Sequence, residues 1–153
     1  MLAANIGVIG GIFFLAIEVN QNQESIELQN SINLVDSRGA SVDFFNNFRL
    51  LRLERQEVNS AWVKGRNGEP LNSEETANFS IICEYMIWGQ FNLYVRMSSL
   101  ELNQEADGQL NLLGRTLRDS SDYAECWNRQ KDLMIERGYG DFVRQVDEII
   151  HKL

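Results

Sequence analysis

Asn72-Ser73-Glu74-Glu75-Thr76-Ala77-Asn78-Phe79-Ser80-Ile81-Ile82-Cys83-Glu84-Tyr85-Met86 opens the most strongly helical stretch of the chain, which runs on to Met97. Asn72 can cap this helix. Glu75, three residues on, closes a capping box, and Glu74 adds negative charge at the positive end of the helix dipole. Phe79, Ile82, Met86, Leu93 and Met97 mark one face, and Ile81, Tyr85, Trp88, Phe91 and Val95 mark another. Apolar groups on two faces place such a helix centrally in a bundle. Adjacent on a helix, Glu74 and Glu75 diverge, so capping explains them better than paired acid/base work.

The flanking segments carry the same period. Towards the C-terminus Asp107-Gly108 signals a turn, and Leu110, Leu113 and Leu117 give a short amphipathic helix interrupted at Ser120-Ser121. Asp122 with Glu125 suggests a second capping box, opening a helix through Tyr123, Trp127 and Met134. Gly138-Tyr139-Gly140 breaks that helix, and Phe142, Val146, Ile149, Ile150 and Leu153 form the stripe of a closing one. Towards the N-terminus, Trp62-Val63-Lys64-Gly65-Arg66-Asn67-Gly68-Glu69-Pro70 reads as a helix ended by glycine. An anion nest using Lys64 and Arg66 is the functional alternative to that cap. Further back, Leu28, Ile32, Val35, Gly39 and Val42 recur at spacings of four and three, an apolar seam of coiled-coil type. Phe44, Phe45, Phe48, Leu50, Leu51 and Leu53 thicken it, for packing on later helices or on a second copy.

Residues 2–17 carry no charge. At about 1.5 Å per residue, the run from the first residue to Ile17 spans roughly 25 Å as a helix, close to a ~30 Å hydrocarbon core. A cleaved signal peptide would need a basic start and a small-residue cleavage site, and neither is present. A buried core helix apolar on all sides is unusual in so small a domain. The expectation is therefore a single membrane span over residues 1–19, a long juxtamembrane helix over 20–56 and a bundle over 57–153: an all-α protein. Ala3, Gly7 and Gly11 share one face of the span in a small-xxx-small pattern that favours close helix contact, although glycine and alanine are common in such helices anyway. The nearest basic residue after the span is Arg38, which leans towards an external domain.

With 153 residues, 44% hydrophobic and one proline, the chain has room for one helical domain and a short extra element. Its net charge of -8, from 22 acids against 14 bases, counts against nucleic acid and against an anionic membrane surface. Cys83 and Cys126 are too few for a disulfide framework or zinc site, and whether they pair is open.

Chemistry-bearing patterns are sparse. His151 is the only histidine, beside Lys152 at a helix end, so no nucleophilic triad or Glu-x-x-His metal pair can be built. Gly7, Gly10 and Gly11 lie in an apolar run, not after a strand, and do not make a phosphate loop. No catalytic, cofactor-binding or metal residue is expected. Trp62, Tyr85, Trp88 and Trp127 could line a pocket, although aromatics at helical spacing are more often core.

The stretch Phe14-Leu15-Ala16-Ile17-Glu18-Val19-Asn20-Gln21-Asn22 resembles a family of uncharacterised bacterial membrane-anchored proteins common in marine proteobacteria. So do Trp62-x-x-Gly65-x-x-Gly68 with Leu71 and Glu74-Glu75, the Trp127 helix and Phe142-Val143-Arg144-Gln145-Val146-Asp147-Glu148-Ile149. The resemblance implies a one-span helical protein with additional residues before the span, and it implies no activity. The functional expectation is a non-enzymatic protein of the bacterial inner membrane. Its partners would be the lipid bilayer and protein, either itself or a larger membrane complex, contacted through Ala3, Gly7, Gly11, Leu28, Ile32 and Val35. The alternative is a small-molecule-sensing bundle with an aromatic pocket around Trp88.

Overall fold

The computed structural model describes residues 2–152, with side chains over residues 11–152. It contains six α-helices and no strand among the described residues: α1 (Leu2–Glu54), α2 (Gln56–Asn67), α3 (Ser73–Ser99), α4 (Asn103–Arg118), α5 (Ser121–Glu136) and α6 (Gly140–Lys152). The chain divides into two compact units, Met1–Asp36 and Ser37–Leu153.

Local signals explain most helix ends. Asn72 and Glu75 form the expected capping box on α3, each side chain reaching the other's backbone N–H. Gly68 ends α2 in the left-handed conformation, φ 66°, where a side chain would be strained. At α5 the cap is Ser120, whose hydroxyl accepts from Tyr123 N–H, two residues before the expected Asp122. Asp107-Gly108 is no turn. Both lie inside α4, because Ala106, Leu110, Leu113 and Leu117 form one buried stripe along it and tertiary packing outweighs the local turn preference.

The core of the second unit lies between α2, α3, α4, α5 and α6. Phe79, Ile82, Met86, Leu93 and Met97 of α3 are buried as one face. Of its second face only Phe91 is buried, against Tyr139 and Phe142, while Ile81, Tyr85 and Val95 face outward. Cys83 and Cys126 are bonded, joining α3 to α5 across a sequence separation of 43 residues. Closing a loop of that size restricts the unfolded chain. The second half of α1 lies on this core through Phe48 and Leu51. Gly89 of α3 meets the Phe44 ring so closely that a Cβ there would collide with it.

Among the described residues no helix is long and apolar enough to cross a membrane. That finding overturns the transmembrane helix assigned to residues 1–19 and, with it, the single-pass inner-membrane localisation. Within the described residues the uncharged stretch ends at Ile17. Glu18 and the polar series Asn20, Gln21, Asn22, Gln23 and Glu24 follow it. Ala3 and Gly7 lie outside the residues whose side chains are described. Gly11 has no neighbouring atom within 4 Å of where a Cβ would stand.

Two outcomes are expected. The Phe44 ring packs on Phe45, Phe48 and Tyr85, so displacing it costs those contacts. Gly89→Ala should therefore lower the unfolding free energy by about 1–3 kcal/mol in urea titrations. Glu75 has its carboxyl held below the usual range, first by the Lys64 ammonium at 2.5 Å and then by the Asn72 amide. Because the folded value is the lower one, this stabilisation is complete above the unfolded value of about 4.3 and is lost as pH falls through the folded value. Glu75→Gln should lower the melting temperature at neutral pH and shrink its fall on acidification, read by thermal unfolding across the acid range.

Candidate functional site

Three features could carry function: the surface of the first unit, a groove beside Trp88, and a smaller pocket beside Trp62.

Along residues 11–36 the large apolar side chains are exposed, apart from the half-buried Leu34. Leu28, Ile32 and Val35, the seam read from their spacing, are 62%, 52% and 71% exposed. With each residue turning about 100°, Ile17 and Phe14, about three and four turns before Leu28, fall on the same face. These residues also carry Glu18, Glu24 and Glu27 and no Lys or Arg, so the apolar face has an acidic border.

Within the second unit, α1 turns a defined face to the core. Ser37 is buried, and Ala40, Ser41, Phe44, Phe45, Phe48 and Leu51 are half-buried. Gln109 of α4 donates to the Ser41 hydroxyl, and Arg38 pairs with Glu105 of α4 at 3.4 Å. The face that packs is thus small and aromatic, and Val42 of the seam points to solvent.

The four aromatic residues of the expected pocket do not converge. Tyr85 and Trp88 line one groove of about 420 Å³ with Phe44, Gly89 and Leu93. The Trp88 indole N–H donates to Gln130, and the Arg137 guanidinium lies over its ring at 5.1 Å. Trp127 is core: its indole N–H donates to the Asp147 carboxylate at 2.6 Å, and its ring meets Phe142. Trp62 is core on one edge and pocket wall on the other.

That third pocket, about 210 Å³, lies between the second half of α1 and helices α2, α3, α4 and α5. Phe44, Phe48 and Trp62 supply aromatic walls, and Arg52, Arg66, Gln90, Thr116, Asp119 and Tyr123 supply polar groups. Arg52 uses Nε and Nη2 to hold the Asn59 side-chain oxygen at 3.1 and 2.9 Å, and its guanidinium sits over both Phe48 and Trp62. Burial, with Arg66 nearby, pulls the Arg52 pKa down, and burial pushes the Tyr123 phenol well up, so that phenol stays a neutral donor. Gln90 is 3% exposed, and its side-chain oxygen has no hydrogen-bond partner. Lys64 is not available as an anion nest because Glu75 pairs with it.

No family model, curated protein or solved structure matches this chain. Among the described residues, no cluster of His, Cys, Asp or Glu is arranged to hold a metal ion. His151 is exposed and borders a shallow α5–α6 groove with Ile135 and Val143.

Of the pocket's polar residues only Arg66 was singled out in the sequence, as half of an anion nest with Lys64, because nothing local links Arg52, Gln90 and Thr116 to it. One signal was present. Gln90 follows Ile82 and Met86 and precedes Leu93 and Met97 in phase, a polar amide at a core position of α3.

Since the seam side chains are exposed, Leu28→Gln, Ile32→Gln and Val35→Gln should each change the unfolding free energy by no more than about 0.5 kcal/mol. Leu117→Ala in the core should cost about 2–5 kcal/mol in the same denaturant titration.

Proposed function

We propose that this protein works without catalysis, as an interaction or accessory subunit whose first unit docks a partner helix. The observation that carries the reading is the bare apolar face of Phe14, Ile17, Leu28, Ile32 and Val35. An uncovered apolar surface of this kind is costly in water, and on a folded protein it commonly marks a binding surface. A helix presenting side chains at this spacing fits a second amphipathic helix laid along it. The acidic border selects the partner's chemistry. A second copy would bring Glu18, Glu24 and Glu27 against their own kind, whereas an apolar helix flanked by lysine or arginine would meet opposite charge. The bonded Cys83–Cys126 pair supports a working place where thiols are not kept reduced.

The test uses the full chain and a synthetic heptad-repeat peptide with leucine in its seam and lysine on its flanks. The peptide should bind. The combined Leu28→Gln, Ile32→Gln and Val35→Gln variant should bind it at least about tenfold more weakly, and added salt should weaken binding of the native chain. Equal binding by the variant would overturn the reading. So would self-association without affinity for the peptide, or association with lipid vesicles in its place.

A further inference from the structure

We propose that the pocket beside Trp62 binds a small aromatic carboxylate that also carries a hydroxyl or amine donor. Three features of the pocket, independent of the helix-docking surface, lead to this class of ligand.

The first is charge. Arg52 and Arg66 both line the pocket, and neither has a carboxylate within ion-pair distance among the described residues. Arg52 engages Asn59 through Nε and Nη2, which leaves Nη1 for a ligand, and Arg66 has no hydrogen-bond partner among the described residues. In a chain of net charge -8, two guanidinium groups facing one cavity, opposed only by Asp119, form a local cationic site. Guanidinium donors match the two oxygens of a carboxylate.

The second is the orphaned acceptor. A buried side-chain oxygen without a donor is costly, typically about 1–3 kcal/mol, and native structures rarely leave one so. Gln90 lines this cavity with its oxygen withdrawn from solvent, so a half-turn of its amide would bring that oxygen to a donor arriving with the ligand. An anion with acceptors alone, such as phosphate at high pH, could not do this.

The third is shape. Phe44, Phe48 and Trp62 wall the pocket, and Met86 and Leu112 add apolar surface. A volume of about 210 Å³ lies below the ~300–1,000 Å³ of sites for larger ligands, which suits a single ring. Aromatic walls favour a flat π-surface over an aliphatic chain.

The test is calorimetric titration of the full chain with 4-hydroxybenzoate, with benzoate lacking the donor, and with inorganic phosphate lacking the ring. The hydroxylated acid should bind, benzoate several-fold more weakly, and phosphate not measurably. Arg66 is exposed, so Arg66→Gln should fold normally and weaken both carboxylates about tenfold. Gln90→Leu should abolish the preference for the hydroxylated acid while raising the melting temperature of the free protein, because the orphaned oxygen is gone. A purely structural role for Gln90 would move the melting temperature without moving the preference. The proposal is overturned if neither carboxylate binds at millimolar concentration. It is also overturned if phosphate binds as well as they do, or if both variants bind like the native chain.

Discussion

Most of the second unit is organised by one aromatic contact set centred on the Trp62 indole. Its ring meets Phe48 of α1 at 5.0 Å, Tyr123 of α5 at 5.2 Å and Phe79 of α3 at 6.0 Å. Trp62 itself belongs to α2, so a single side chain brings four helices to one point. Large aromatic rings bury much area each, and edge-to-face pairs add directional attraction, which fixes the angles of approach. The Cys83–Cys126 bond ties two of the same helices a short way along. With these rings in place, the Arg52 guanidinium lies over both Phe48 and Trp62, which puts a cation on that side of the pocket.

The two candidate surfaces differ in what they lack. In the first unit Phe14, Ile17, Leu28, Ile32 and Val35 stand exposed to water. In the pocket of the second unit, the Gln90 oxygen is withdrawn from water without a partner. Each is energetically unfavourable by itself, for opposite reasons: the first exposes what water disfavours, and the second desolvates what water would have bonded. That difference supports a protein partner for the one and a small polar-headed ligand for the other.

Much of the fold was legible from local chemistry. The Asn72–Glu75 box, the glycine stop at Gly68 and the break at Gly138 all act within a few residues, so their sequence signals are complete in themselves. The failures have one physical origin. Asp107-Gly108 looked like a turn, yet both residues lie within α4, whose stripe from Ala106 to Leu117 packs into the core. The apolar spacing from Leu28 to Val42 correctly marked a face, but periodicity does not say which of two faces a bundle will accept. The core took the face with Ser37, Ala40 and Phe44, where small residues admit close approach. The uncharged run near the N-terminus suggested lipid because length and apolarity were its only readable properties.

Period, caps and composition therefore determined that this chain is helical, where most helices end, and which residues of α4 and of one face of α3 turn inward. Helical hydrogen bonds span only four residues, so a short window of sequence holds nearly all the information they need. Only the tertiary structure decided that Cys83 meets Cys126, that Trp88 and Trp62 stand on different cavities, and that Arg52, Arg66 and Gln90 share one. Those meetings join residues distant in the chain, and they depend on how ring volumes and glycine gaps fit together once the helices have packed.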